Sequence, residues 1–405
     1  MKIFVNRWLN SKISSIKFEF SNDRDFSLFL LVGFFIGIAG GIYISIFNNF
    51  LSDTYSLSAS ARGIVEFPRE LPGLFVVVIL AFLSFLGNIR IASIAMIIAS
   101  IGMIGLGLLS PTFSLMIIFM MIYSLGQHMF MPLSSSIGMS LSKREQYGAR
   151  LAKYNAFSLV ATIIGFAIIW LGFSYFNFNY TSAFVVAAVF YCLAGIVLCF
   201  IKKSTPSHKK FKIIFRKQYT LYYILCIVNG ARKQIFLTFA PWVLIQVFHL
   251  SPQNFAVLGV VIALVSIFTR TIIGKSIDIK GERFVLSLEA IVLFVLCIGY
   301  AFASDLFTTS VALVIIAICY ILDNSLSTVE MARSTYLKKI AIKPTDVTHT
   351  LATGISLDHI VSMLIPIVGG IIWVAIGYKY VFLFAAVIAV INFVLSLKIK
   401  VANEK

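Results

Sequence analysis

Long apolar stretches alternate with short polar stretches along the whole chain. A helix of about 20 apolar residues is long enough to cross the hydrocarbon core of a bilayer. The alternation therefore predicts an all-α membrane protein with about twelve transmembrane helices. The predicted spans lie near Phe26–Phe50, Arg62–Leu86, Arg90–Leu109, Thr112–Leu133, Lys153–Phe173, Tyr180–Ile201, Tyr219–Val247, Gln253–Ile273, Phe284–Ala303, Thr308–Val329, Thr348–Trp373 and Tyr378–Leu397.

The longest polar stretch between two spans divides the predicted helices into two groups of six. We expect a six-helix bundle at residues 26–201 and a second one at residues 219–397. A basic cytoplasmic linker at residues 202–218 joins them. The remaining parts are a cytoplasmic N-terminal segment at residues 1–25 and a cytoplasmic tail at residues 398–405.

The two predicted bundles share short sequence patterns. Tyr123–Gln127 (YSLGQ) in the fourth span parallels Tyr320–Asn324 (YILDN) in the tenth. Ile168–Gly172 (IIWLG) near the end of the fifth span parallels Ile371–Ala375 (IIWVA) in the eleventh. Two related bundles imply a pseudo-two-fold interface with a binding site near the bilayer midplane.

Composition and charge exclude a soluble protein. Hydrophobic residues make up 60% of the 405 positions and charged residues 12%, whereas soluble domains carry about 25% charged residues. The net charge of +17 would suggest nucleic acid as a partner of a soluble protein. Here 27 of the 33 lysines and arginines lie in segments on the side of both termini, and three lie on the other side. This bias predicts a multi-pass protein of the cell membrane with cytoplasmic termini, which contacts lipid and no nucleic acid.

The sequence carries no recognisable motif for covalent or metal chemistry. The five cysteines lie inside predicted spans without paired spacing, so we expect neither a disulfide nor a metal site. No nucleophile motif and no phosphate-binding glycine loop occurs. We therefore expect a monomer that is not an enzyme and needs no cofactor.

The span at Tyr219–Val247 carries two basic residues, Arg232 and Lys233, close to the predicted midplane of the bilayer. A basic side chain there costs about 2.5–3.5 kcal/mol on insertion scales, so neither should face lipid. The two bases could form buried ion pairs that fix helix packing, or they could bind a substrate in a water-filled cavity. Asn229 and Gly230 precede the pair and favour the cavity, because irregular backbone at this depth is tolerated beside one.

The junction between the eighth and ninth spans is the loop Gly274–Arg283 (GKSIDIKGER). It resembles the G-x-x-x-D-x-x-G-x-R loop of the major facilitator superfamily. The equivalent Ser84–Arg90 (SFLGNIR) in the first half keeps a glycine and a base but lacks the acid. The resemblance implies secondary active transport by alternating access and does not identify a substrate. It also implies a gating loop that depends on Gly274, Asp278, Gly281 and Arg283.

In the second predicted span, Glu66, Arg69 and Glu70 can share one face of a helix, because their spacings are i,i+3 and i,i+4. Two interpretations stay open for this cluster. It could be a cap near the lipid headgroups, or it could be a gate in which the arginine neutralises two acids and one acid takes a proton.

Two further acids, Asp323 and Asp358, lie inside the tenth and eleventh spans at depths that Arg232 could reach. An isolated aspartate in hydrocarbon would rather bind a proton than stay charged. A nearby base keeps it ionised, and proton binding then competes with that pairing. We therefore expect Asp323 and Asp358 to be proton carriers, with His359 as a titratable neighbour.

Uncharged polar side chains also occur at this depth. Gln127 and His128 lie in the fourth span, and Asn324 lies in the tenth span. Each could line the substrate site or could pack between helices.

The sequence thus predicts a secondary transporter that moves a small polar or anionic organic solute and is coupled to protons or another ion. Arg232 or Lys233 would contact an anionic group on the solute. One alternative is proton-driven efflux of amphipathic compounds or drugs. Another is a receptor or scaffold that has a transporter fold and moves no solute.

Overall fold

The computed structural model describes residues 23–141, 147–202 and 215–400. Most of the predicted N-terminal segment, the linker and the tail lies outside these residues. The described residues form twelve α-helices and no strand. The helices are α1 (Arg24–Tyr55), α2 (Ala59–Leu83), α3 (Asn88–Leu108), α4 (Phe113–Ser140), α5 (Tyr147–Tyr175), α6 (Tyr180–Cys199), α7 (Thr220–Gln246), α8 (Pro252–Leu306), α9 (Thr309–Leu326), α10 (Glu330–Ile340), α11 (Pro344–Ile376) and α12 (Tyr378–Leu397).

Ten helical segments among the described residues are long and apolar enough to cross a membrane. That number takes α8 as one crossing, although its 55 residues extend for about 80 Å at 1.5 Å per residue. The helix is broken at Gly281, whose φ is 79°. The number also leaves out α7, which carries Arg232 and Lys233. The predicted twelve crossings therefore require α8 to cross twice and α7 to cross once.

The helices pack in two groups. In the first group α1 lies against α5 and α6, and α3 lies against α4 and α6. In the second group α7 lies against α11 and α12, and α8 lies against α9 and α12. The buried apolar core of the first group comes from residues 26–201, joined by Trp242 and Ala256 of the second. The groups, called the first and second bundle below, meet mainly where α2 contacts α11 and α5 contacts α8.

Glycines allow the backbones to approach closely at these contacts. A Cβ atom on Gly37 of α1 would lie 2.3 Å from the carbonyl oxygen of Ser158 on α5. Between the bundles, a Cβ atom on Gly63 of α2 would lie 2.1 Å from the carbonyl oxygen of Pro366 on α11. Small residues are the usual way for membrane helices to pack this closely.

Contact between the bundles is uneven along α2. Every buried residue of this helix lies within 59–73, and none lies within 74–83. The side of the molecule where α1 begins and α12 ends is called the termini side below. On the opposite side, Asn49 donates a 2.6 Å hydrogen bond to the carbonyl oxygen of Leu250, and Gln246 donates a 2.9 Å bond to Ser52. The described polar contacts thus close the gap between the bundles on the side away from the termini.

All five prolines that lie inside described helices belong to α2, α4, α7 and α11. A proline inside a helix removes one backbone hydrogen bond and bends or weakens the helix at that point. The same four helices carry Glu66, Glu70, His128, Arg232, Lys233, Asp358 and His359, while the acids Asp323, Glu282 and Glu289 lie on α9 and α8. The prolines are Pro68, Pro72, Pro132, Pro241 and Pro366.

Candidate functional site

Glu66 of α2 lies at the contact between the bundles. Its side chain has no exposed surface, and its carboxylate pairs with Arg62 at 2.5 Å and with Arg69 at 2.6 Å. Gln234 of α7 donates a 2.7 Å hydrogen bond to the same carboxylate from the second bundle. A buried carboxylate needs such partners. Here Arg62 lies one helical turn before Glu66 and Arg69 lies one turn after it. Glu66 is thus enclosed by protein at the contact between the bundles, and its predicted roles as a cap or a gate stay predictions.

Arg62 extends this cluster to the neighbouring helices. Its Nε and Nη2 atoms donate hydrogen bonds of 3.1 Å and 3.0 Å to the Asn48 side chain on α1. Its guanidinium carbon also lies 5.9 Å from the centre of the Trp242 ring on α7. One arginine therefore ties α1, α2 and α7 together.

Glu70 of α2 connects both bundles at the next turn. Its Oε1 atom lies 3.2 Å from Nη2 of Arg69. Its Oε2 atom lies 2.9 Å from Nδ1 of His359 on α11 and 3.8 Å from Nε2 of His128 on α4. The three side chains of Glu70, His128 and His359 are 13–14% exposed, so the cluster is enclosed but reachable.

Local contacts fix the position of His128. Its Nδ1 atom lies 2.9 Å from the carbonyl oxygen of Ser124, one turn earlier on α4. Gly73 supplies the space beside the rings, because a Cβ atom there would lie 2.7 Å from His128 and 2.9 Å from His359. The neighbouring Gln127 does not join the cluster, and its buried Nε2 atom has no hydrogen-bond partner among the described residues.

The two bases of α7 each meet one acid of the second bundle. Nη1 of Arg232 lies 2.6 Å from Oδ1 of Asp323 on α9, and these side chains are only 6% and 7% exposed. Nζ of Lys233 lies 2.6 Å from Oδ2 of Asp358 on α11, and these side chains are 37% and 18% exposed. Gly230 makes the second contact possible, since a Cβ atom there would lie 2.7 Å from Oδ1 of Asp358. Lys233 is therefore the base that stays accessible, and Arg232 is the base that is enclosed.

Asn324 does not reach these groups. Its Nδ2 atom donates a 2.8 Å hydrogen bond to the carbonyl oxygen of Tyr320, one turn earlier in α9. Short polar side chains in helices often satisfy themselves on the backbone in this way.

The predicted gating loop forms the break in α8. Gly281 adopts the positive φ that favours glycine, and Gly274 has open space where a Cβ atom would lie. Asp278 and Arg283 are exposed, and neither forms an ion pair with a described residue. The segment is helical on both sides of the break at Gly281, and its gating role remains a prediction.

Two ion pairs beside this loop were not anticipated from the sequence. Glu282 is fully buried and pairs with Lys339 of α10 at 2.8 Å, and Glu289 pairs with Arg333 at 3.3 Å. Glu282 and Glu289 are seven residues apart, which places them on one face of a helix. The seven-residue spacing is the sequence signal from which this second set of acids could have been predicted.

Comparison with known proteins identifies the fold. A sequence profile of the Major Facilitator Superfamily matches residues 29–335. The crystal structure of a point mutant of the nucleoside transporter NupG is similar with a TM-score of 0.76 and 13% identity, over 93% of this chain and 99% of that chain. No curated protein matches the sequence.

Other solved transporters show the same fold. A POT family peptide transporter is similar with a TM-score of 0.72 and 11% identity, over 94% of this chain and 98% of that chain. A bacterial homologue of the lysosomal transporter Spinster, in an inward-facing and occupied conformation, has a TM-score of 0.70 and 16% identity, over 92% and 95% of the two chains. The family profile covers more than half of the chain, and the structural likeness extends over nearly all of it. The chain therefore belongs to the major facilitator superfamily, as the loop at Gly274–Arg283 predicts.

Proposed function

We propose that this protein is a secondary active transporter that moves a small polar or anionic organic solute by alternating access, coupled to protons. Family and fold support membrane transport as such. The observation that carries the finer proposal is the partly exposed pair of Lys233 and Asp358. The residues next to them in sequence, Gln234 and His359, contact Glu66 and Glu70 of the first bundle.

Lys233 and Asp358 offer opposite charges to a solute. The Lys233 side chain is 37% exposed, so its ammonium group can turn from the carboxylate partner toward an anionic group. The carboxylate then becomes free to accept hydrogen bonds from donors on the same solute. A small solute with both kinds of group would thus replace one ion pair by two contacts.

Arg232 and Asp323 are suited to carry the coupling proton. Their carboxylate and guanidinium are enclosed, so the pair is stable only while both groups are charged. Arg232 on α7 and Glu289 on α8 are the charged groups that act on Asp323. A proton on Asp323 cancels its attraction to Arg232 and frees α7 to move relative to α9.

The packing of α2 supports the alternating-access part of the proposal. The bundles meet where α2 is buried, at residues 59–73, and α2 carries no buried residue beyond them. If the termini are cytoplasmic, this arrangement is open toward the cytoplasm. The opposite state requires the bonds from Gln234 to Glu66 and from Asn49 to Leu250 to separate.

Flux measurements in proteoliposomes test the proposal. Nucleosides, short peptides and small carboxylates are the first compounds for a thermal-stabilisation screen, because they are small polar organic solutes and the first two are named for transporters of this fold. A compound that stabilises the purified protein should then accumulate in vesicles when a proton gradient is imposed.

Matched variants show which groups are responsible. Lys233→Gln should lose affinity for an anionic compound more than for its neutral analogue. The control Lys379→Gln removes a base on the side away from the termini and should leave the affinity for both compounds unchanged. Asp323→Asn should abolish accumulation driven by the proton gradient and retain exchange of solute across the membrane. Stabilisation by ligands without flux would indicate a receptor, and flux that ignores the proton gradient would contradict the coupling.

A further inference from the structure

Glu70, His128 and His359 bring one carboxylate oxygen and two imidazole nitrogens to one point. The three donor atoms all lie within 4.8 Å of one another. The residues come from α2, α4 and α11, so both bundles contribute. The titratable roles predicted for His359 and Glu70 do not account for the position of His128, which no sequence pattern placed beside them.

The spacing of the donors fits the coordination sphere of a transition metal. Zinc binds imidazole nitrogen and carboxylate oxygen at about 2.0–2.2 Å, so two ligands of a tetrahedral site lie about 3.3 Å apart. Oε2 of Glu70 lies 2.9 Å from His359 and 3.8 Å from His128, on either side of that value. The third distance, between the two imidazole nitrogens, is at most 4.8 Å, so side-chain rotation has to bring the histidines closer together around an ion.

The histidine of α4 is held as metal-binding histidines are held. The Nδ1 atom lies 2.9 Å from the Ser124 carbonyl oxygen and 3.0 Å from the Ser124 hydroxyl, and that hydroxyl donates its proton to the carbonyl oxygen of Arg69. This set of bonds is satisfied when Nδ1 carries a proton and donates it to the carbonyl oxygen. The lone pair is then on Nε2, the atom that faces Glu70. A backbone carbonyl that fixes tautomer and ring orientation in this way is typical of the surroundings of a metal-binding imidazole.

Gly73 and the partial exposure of the three side chains give access to the donor atoms. Gly73 lies against both rings, and any side chain there would enter the space between them. Arg69 engages the Oε1 atom of Glu70 and leaves Oε2 directed at the histidines. The three side chains keep 13–14% of their surface exposed, so a position opposite the protein ligands can be reached from the space between the bundles.

We propose that Glu70, His128 and His359 form a binding site for a divalent transition-metal ion, with one open coordination position. Two imidazoles and one carboxylate select ions such as Zn²⁺, Co²⁺ or Fe²⁺ over Mg²⁺ and Ca²⁺, which prefer oxygen ligands. A bound ion links α2 and α4 to α11 and thereby holds the two bundles together at this level.

Cobalt binding to the purified full-length protein tests the site, because Co²⁺ bound by nitrogen and oxygen donors has visible absorption bands. The wild type should bind one Co²⁺ per chain, and Zn²⁺ should displace it. His128→Gln and His359→Gln should each weaken binding about tenfold or more. The control is His249→Asn, which changes a histidine on the opposite side at a positive φ that asparagine tolerates, and it should bind as the wild type does.

Ligand-retaining variants protect the test against misfolding. His128→Glu and His359→Glu keep a metal donor on a side chain of similar reach, so they should bind Co²⁺ more tightly than the glutamine variants, which have the same shape. Zn²⁺ should also raise the thermal midpoint of the wild type and leave that of His359→Gln unchanged. Absent binding, or equal affinity in the wild type and both glutamine variants, would overturn the site. These readouts need no transport, so a protein that binds Co²⁺ but moves no solute would contradict only the proposed function.

Discussion

Nε2 of Gln234 lies 2.7 Å from Oε2 of Glu66, so an amide of the second bundle donates a hydrogen bond to a fully buried carboxylate of the first. Hydrogen bonds to charged groups contribute about 1.5–3 kcal/mol. Gln234→Leu should therefore destabilise the arrangement in which the bundles meet on the side away from the termini. A cysteine introduced in place of Ser60 should then be labelled faster by a membrane-impermeant reagent added on that side. The control is Gln246→Leu, which loses an exposed bond to Ser52 and should have a smaller effect; equal labelling in both variants would contradict this role of Glu66.

Arg232→Gln should strongly destabilise the protein, because it leaves Asp323 buried without its partner. Breaking a buried pair costs about 3–5 kcal/mol, whereas an exposed pair contributes about 0–1 kcal/mol. Lys379→Gln, which breaks a partly exposed pair with Asp305, is the matched control. The measurement is the thermal midpoint of the purified protein in detergent. Combining Arg232→Gln with Asp323→Asn should recover protein level, and a double variant as unstable as the single one would refute the pairing.

Gly63→Ala should push the bundles apart, because its Cβ atom would lie 2.1 Å from a backbone oxygen of α11 that has no flexible side chain to yield. Gly40→Ala adds the same methyl group where no atom lies within 4 Å, so it should be neutral or slightly stabilising. The thermal midpoints of the two variants compare their stability. Labelling of a cysteine in place of Ser60 measures whether the two bundles have separated. Identical behaviour of the two alanine variants would show that α2 and α11 do not set the contact.

Asp278→Asn and Glu282→Gln separate the two acids near the break in α8. Asp278 is exposed, so its replacement should leave stability unchanged and alter transport if the loop is a gate. Glu282 is buried against Lys339, so its replacement should lower the thermal midpoint. Flux and thermal midpoints are measured on the same preparations. Normal flux in Asp278→Asn would show that the loop serves only as a turn.

Two cysteine variants test the orientation. Lys202→Cys lies exposed on the termini side, and Phe176→Cys replaces a side chain that is 69% exposed on the other side. With the native cysteines replaced, a membrane-impermeant reagent should reach position 202 only from the cytoplasm and position 176 only from outside. Reversed labelling would overturn the orientation inferred from the charge bias.

The membrane class, the family and the acids that meet the two bases of α7 could be predicted from the sequence. Hydrophobic length and the lysine and arginine bias are local signals, and a charge at membrane depth demands a partner whatever the fold. Few acids are available at the right depth, so Asp323 and Asp358 were identifiable as partners of Arg232 and Lys233. Which base is enclosed depends on helix rotation, and only the three-dimensional packing shows it.

The cluster at Glu70 could not be predicted, because it depends on three helices meeting at one level. His128 lies 58 residues after Glu70 and His359 lies 231 residues after His128, and neither distance is a recognisable spacing. Depth alone also left the role of Asn324 open. Its Nδ2 atom donates a hydrogen bond to a backbone carbonyl of its own helix, and its role in lining the site stays a prediction.

The prolines of α2, α4, α7 and α11 make these four interior helices flexible. Each of these helices lacks a backbone bond partway along its length, so its two ends can tilt separately. Two rigid bodies that rock about a hinge would have to release every charge pair between them at once. Flexible helices can instead break the hydrogen bond between Gln234 and Glu66 while the neighbouring pairs stay intact. The path between the two end states can then pass through several small barriers in place of one large one.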